Sequence, residues 1–205
     1  MDRLPQPLYR GGEQIEDERM ILLRHGQSEF NLHFSRTRID PGIIDPRLTE
    51  LGHQQAADAA EVLGGRQDIR RIIASPYTRA LQTAAPLAER LGLPIHVTPQ
   101  VRERYAFTCD VGRPISIVAQ EFPHVAFDGI EDIWWPGTEE PEHAVITRAH
   151  GFRSEIAARE DWAHTVVVSH WGFILAFTGR SMGNGEWLQT DPREAAPENV
   201  VWRHH

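Results

Sequence analysis

Arg24-His25-Gly26 closes a short apolar run, Met20-Ile21-Leu22-Leu23, and sets an imidazole between a guanidinium and a residue without a side chain. A neutral imidazole can attack phosphorus and hold a phosphoryl group covalently. It must present one ring nitrogen to the substrate while an acceptor such as a backbone carbonyl fixes the other. Gly26 allows close backbone approach. Two further segments carry residues suited to the same anion: Ser75-Pro76 leading to Arg79, and His170-Trp171-Gly172. Glu103 adds one carboxylate. Two Arg and two His crowded together need an anion to offset their repulsion, and the planar guanidinium fork matches phosphate oxygens. Phosphoryl transfer mainly needs positioning and charge stabilisation, which this set supplies without a metal or cofactor. Glu103, with its pKa raised, can protonate the leaving oxygen. Taken singly, each residue also has a structural role open to it: a hydrogen-bonded His at a strand end, a solvated Arg, a Glu paired with Arg102 or Arg104. Their joint occurrence carries the reading.

The elements that must position these residues alternate between strand and helix. Met20 to Leu23 suits a buried strand. Residues 32–48 read as loop, with turn signals at Asp40-Pro41-Gly42 and Asp45-Pro46. Thr49 is an N-cap for a helix to about Leu63, ended by Gly64-Gly65. Ile69 to Ala74 reads as a second strand. Ser75-Pro76 opens a second helix through Arg90, with Gly92 beyond its end and Pro86 as a kink or irregular turn. Pro94 to Val101 reads as a third strand. Residues 143–159 look helical, Thr165 to Ser169 is a fourth strand, a helix follows from Phe173, and Asn199 to Arg203 reads as an edge strand. Residues 1–19 read as an irregular leader.

This order predicts an α/β domain with a largely parallel sheet. Ligands of such sheets bind outside the carboxyl ends of the strands. Arg24-His25, Arg79, His170 and Glu103 all follow strand ends, so they should share one rim.

Composition narrows the partners. The 205 residues fit one domain. A net charge of −8 with no basic run disfavours nucleic acid and anionic membranes. All 21 basic residues are Arg, so a Schiff-base Lys and a phosphate-loop Lys are excluded. Cys109 is the only cysteine, which rules out an intramolecular disulfide. No signal-peptide pattern or membrane-length apolar stretch is present, and a soluble cytoplasmic protein is the simplest expectation.

The motifs resemble the histidine phosphatase superfamily, also called the phosphoglycerate mutase-like family. Ile21-Leu22-Leu23-Arg24-His25-Gly26-Gln27-Ser28-Glu29-Phe30-Asn31 resembles its signature. Leu48-Thr49-Glu50-Leu51-Gly52-His53-Gln54-Gln55-Ala56 resembles its first-helix start. Ser75 to Ala84 and Val168-Ser169-His170-Trp171-Gly172 resemble its second and last motifs, in the family's order. The resemblance implies a three-layer α/β/α sandwich. It implies phosphorylation of His25 during turnover, with Arg24, Arg79 and His170 binding the phosphate and Asn31 and Trp171 beside it. Glu103 matches the usual proton-donor position, with Asp110 and Glu121 as other acids in the variable region.

The family's mutases carry Glu-Arg-His-Tyr-Gly with further Gly, Asn and Lys. Here Glu103-Arg104-Tyr105-Ala106 keeps only a trace. Water is the default acceptor for a phosphohistidine, so a metal-independent phosphatase acting on a small phosphorylated metabolite is the expectation. Mutase-type transfer and a non-catalytic phospholigand-binding module are the alternatives. A cysteine phosphatase is excluded, because three residues rather than five separate Cys109 from Arg113. The His residues show no metal-ligand spacing. Residues 104–142 form the variable region expected to set specificity. Within it, the acidic segment Glu131 to Glu142 reads either as a lid or as a surface loop with one Trp packed beneath. His204-His205 is given no role, and the oligomeric state leaves no mark in the sequence.

Overall fold

The computed structural model describes residues 9–10, 13–14 and 18–202. Most of the expected leader, and His204-His205, lie outside the described residues. Inside the leader, β1 (Tyr9–Arg10) pairs antiparallel with β2 (Glu13–Gln14), so it is not wholly irregular.

The remaining strands are β3 (Met20–Arg24), β4 (Arg71–Ala74), β5 (Ile95–Val97), β6 (Thr165–Ser169) and β7 (Trp187–Thr190). They form one sheet in the order β5-β4-β6-β3-β7. β5, β4, β6 and β3 run parallel, and β7 joins antiparallel at the edge. Alternate side chains of each strand point to opposite faces. Ile21, Leu23, Ile72, Ala74, Val166 and Val168 therefore enter one core with α2 (Glu50–Leu63) and α3 (Thr78–Leu91). Met20, Leu22, Ile73 and Val167 enter a second core with α5 (Glu142–Ala157) and α6 (Trp171–Thr178). Helices thus cover both faces, giving the three-layer α/β/α sandwich that the family resemblance implied.

Local chemistry explains the helix ends. Thr49 accepts from Gly52 N, capping α2 at its expected start, and Gly92 ends α3 in the left-handed region at φ 64°. α3 runs unbroken through Pro86, not through an irregular turn. Its face of Ala80, Leu81, Ala84, Leu87 and Ala88 is buried in the first core, and that packing outweighs proline's local cost of about 3 kcal/mol.

Four expectations are corrected. The loop expected over 32–48 begins inside a helix, α1 (Glu29–Thr37), because Ser28 and Asn31 cap it reciprocally. The third strand stops at Val97, and Pro99–Val101 forms a 3-10 turn started by Thr98. The variable region 104–142, to which no helix or strand was assigned above, includes a short helix, α4 (Ile115–Glu121). The edge strand is β7, not 199–203: residues 199–202 form no strand and Arg203 is not described. Leu188 pairs with Leu22 in the antiparallel register.

Candidate active site

Parallel register decides which ends meet. Arg24 pairs with Ser169, and Ala74 with both Val168 and Val97. His25, Ser75, Thr98 and His170 therefore leave the sheet within one residue of the same level. Above that rim lies a cavity of about 390 Å³ lined by Arg24, His25, Asn31, Arg79, Glu103 and Trp171. The expected rim residues are brought together.

The close approach of two glycines shapes the floor. A Cβ on Gly26 would sit 2.3 Å from the Gly52 carbonyl oxygen, and a Cβ on Gly52 2.1 Å from that of Gln27. Gly26 N also donates to Thr83 Oγ1 at 3.1 Å. The loop after β3 is thereby clamped between α2 and α3.

His25 is buried, and its Nδ1 lies 2.7 Å from the Gly26 carbonyl. A carbonyl can only accept, so Nδ1 carries the proton and Nε2 keeps a lone pair. Burial, then the charges of Arg79 and Arg24, hold the imidazole well below its usual pKa of 6.5, which keeps the ring neutral. The His170 ring lies 5.0 Å from that of His25, is fully buried and has its pKa lowered, first by burial and then by Arg79. Both of its ring nitrogens, and Arg24 Nε, are buried without a hydrogen-bond partner among the described residues. Buried polar atoms are rarely left unpaired, and three around one histidine mark a place for a polar ligand.

The two arginines are otherwise fixed. Arg24 Nη1 donates to the Met182 carbonyl, and burial lowers the guanidinium to about 10. Arg79 donates to the Cys109 carbonyl at 2.9 Å and pairs with Asp110 Oδ1 at 3.3 Å. Asn31 Oδ1 accepts from Ser28 N, Ser28 Oγ and Asn184 Nδ2, which leaves Nδ2 as its remaining donor. Trp171 lines the cavity, but its Nε1 donates to Ser181 Oγ at 2.9 Å.

Glu103 Oε1 accepts from Arg104 N at 2.8 Å and from Gly172 N at 2.9 Å. Burial, then the nearby charge of Asp110, raises the carboxyl to about 7. Behind it, Arg148 donates to the carbonyls of Gln100, Arg102 and Glu103, and pairs with Glu140 at 2.7 Å. Of the other acids, Asp110 lines the cavity, whereas Glu121 is paired with Arg47 and Arg113.

None of residues 131–142 lines the cavity. Trp134 is packed against Tyr77 and donates to the Arg113 carbonyl, while Glu140 is buried against Arg102 and Arg148. Apolar burial and ion pairing fasten the segment beside the site.

The 181–186 loop went unread in the sequence. Asn184 Nδ2 donates to the His25 carbonyl, and Gly185 N reaches those of Arg24 and His25. Its only sequence signal was the turn-forming Gly183-Asn184-Gly185.

A sequence profile of the Histidine phosphatase superfamily (branch 1) matches residues 20–195. The chain belongs to this superfamily. A glucosyl-3-phosphoglycerate phosphatase of Mycobacterium tuberculosis is 31% identical over 216 residues, covering 90% of this chain and 92% of the relative. One from Mycolicibacterium vanbaalenii is 31% identical over 212 residues with the same coverage. A solved mycobacterial glucosyl-3-phosphoglycerate phosphatase in complex with VO3 superposes with a TM-score of 0.59 at 29% identity, over 83% of this chain and 90% of that one. This histidine phosphatase thus has the fold and reaction class that its motifs implied. Among the described residues no helix is long and apolar enough to cross a membrane.

Proposed function

We propose that the protein hydrolyses a small phosphomonoester through a phosphohistidine on His25. The observation that carries this is the fixed tautomer of His25 beside the unpartnered nitrogens of His170 and Arg24. Nε2 attacks phosphorus and the bond to the ester oxygen breaks. The Glu103 carboxyl gives that oxygen its proton, and the alcohol leaves. Water then attacks the phosphohistidine, Glu103 takes the water's proton, and inorganic phosphate departs with His25 restored. Arg24, Arg79, His170 and Asn31 hold the phosphoryl oxygens through donors aimed at developing charge, and the Trp171 ring walls the site. No metal or cofactor enters these steps.

The substrate region is 104–142 of a single domain. Arg104, Ala106, Phe107, Cys109 and Asp110 bring it to the cavity wall. The relatives are glucosyl-3-phosphoglycerate phosphatases, which makes glucosyl-3-phosphoglycerate the first ester to assay. A cytoplasmic setting is part of the proposal.

The test is to expose the protein and its His25→Ala variant to radiolabelled phosphomonoesters, then quench and look for acid-labile phosphate on His25. Label on the parent chain and none on the variant is expected, together with release of inorganic phosphate. Absence of both across a broad panel would instead favour a phospholigand-binding module. Transfer of label to a second alcohol in preference to water would favour a mutase.

A further inference from the structure

The cavity is larger than a phosphate requires. Its 390 Å³ corresponds to about thirteen water volumes of about 30 Å³ each. Besides His25, Arg24 and Arg79, its lining includes Asn31, Phe34 and Ser35 on one face of α1 and Arg38 at that helix's C-terminal end. From Asn31 to Arg38 this face extends about 10 Å.

That face is aromatic. Phe30 stacks on Phe34 with centroids 5.2 Å apart and an interplanar angle of 14°. Phe107 lies against both, at 5.5 Å from Phe30 and 5.1 Å from Phe34. Phe30 is buried, whereas Phe34 and Phe107 remain half-exposed to the cavity. Phe107 comes from the variable region, and its backbone N–H donates to Asp110 Oδ2 at 3.0 Å. The same Asp110 carboxylate pairs with Arg79 through Oδ1. One buried acid therefore sets both a phosphate-site guanidinium and the position of the Phe107 ring.

We propose that Phe34 and Phe107, backed by Phe30, bind the alcohol part of the substrate, and that this part carries a ring with a flat apolar face. Both a hexose and an arene offer such a face, and both gain by covering aromatic carbon without losing internal rotations. A flexible acyclic alcohol must be ordered to cover the same surface. The wall sorts substrates by what leaves, while His25 and its neighbours treat every phosphoryl group alike. The inference rests on the phosphatase reading above.

The test uses benzyl phosphate, a hexose phosphate esterified at its primary hydroxyl, and glycerol phosphate. All three release a primary alcohol, so their demand for a proton is matched. Ring esters are expected to show the lower KM. Phe34→Ala and Phe107→Ala should lower the ratio of kcat/KM for ring over acyclic ester by about fivefold to tenfold, the size of one aromatic contact, through KM. Phe107→Tyr should retain the ratio. Preference between the benzyl and hexose esters then shows which ring the wall accepts. An unchanged ratio in both alanine variants, or a preference of the parent protein for glycerol phosphate, overturns the wall while leaving the phosphatase intact. If no ester is hydrolysed and His25 takes up no label, the phosphatase reading fails and the wall falls with it.

Discussion

Gly172→Ala separates the proposed proton donor, Glu103, from the rest of the site. Gly172 N donates to Glu103 Oε1 at 2.9 Å, and a Cβ at this position would stand 2.4 Å from the same oxygen. Ordinary contact begins near 3.4 Å, so the carboxyl must retreat by about 1 Å. The other atoms the methyl would meet, on Trp202 and Arg104, lie at 3.3 and 3.4 Å, so the Trp202 ring need give by no more than a few tenths of an ångström. The strain therefore falls on the tip of a flexible side chain and not on backbone. Misplacing a reacting group by about 1 Å costs about 100-fold, or about 2.7 kcal/mol of barrier. The expected result is a loss of about that size in kcat/KM for an alkyl phosphate, against less than about threefold for p-nitrophenyl phosphate, whose leaving group hardly needs a proton. Thermal unfolding should shift by no more than about 3 °C. The measurement is steady-state kinetics on both esters with melting curves alongside. Equal losses on the two esters in a well-folded variant would refute the assignment of Glu103, as would an alkyl phosphatase activity that does not change.

Three further outcomes follow from the same geometry. For alkyl phosphates kcat/KM should fall as pH rises through about 7, because Glu103 must carry its proton, while His25, held well below 6.5, stays neutral across that range. A pH–rate profile checks this, and Glu103→Gln should remove the alkaline limb. Gly26→Ala drives a Cβ into the Gly52 carbonyl, backbone against backbone, and should cost about 1–3 kcal/mol, a fall of about 3–10 °C in Tm. A Tm within about a degree of the parent would contradict the close packing described. Arg148→Met removes the guanidinium that ties the carbonyls of Gln100, Arg102 and Glu103 to the buried Glu140. Because Arg102 still faces Glu140, the loss should be roughly 2–3 kcal/mol, read by urea unfolding.

How much was legible in the sequence differs between elements for physical reasons. β3 and β6 are buried on both faces, so each reads as a continuous apolar run, and local chemistry bounds the helices, Thr49 through its side-chain cap on α2 and Gly92 through its left-handed backbone after α3. α1 was missed because its start depends on a reciprocal Ser28–Asn31 cap, and Asn31 was read for its chemistry alone. β7 was missed because Trp187-Leu188-Gln189-Thr190 is a strand only where β3 offers it an antiparallel edge.

The site divides along the same line. Residue type and order alone pointed to the proposed imidazole nucleophile, to an arginine-rich anion site without lysine, and to an acid after the third strand, because those properties belong to the side chains and to motifs contiguous in the chain. Tertiary structure decided what depends on separations no local pattern encodes. The Gly26 carbonyl fixes the tautomer of His25, and Gly172 places Glu103. The buried Glu140 holds down a segment that composition alone allowed as a lid, because two arginines close in space but 46 residues apart in the chain, Arg102 and Arg148, converge on it. The aromatic wall is of the same kind: Phe34 and Phe107 become neighbours only when α1 and the variable region close on one cavity.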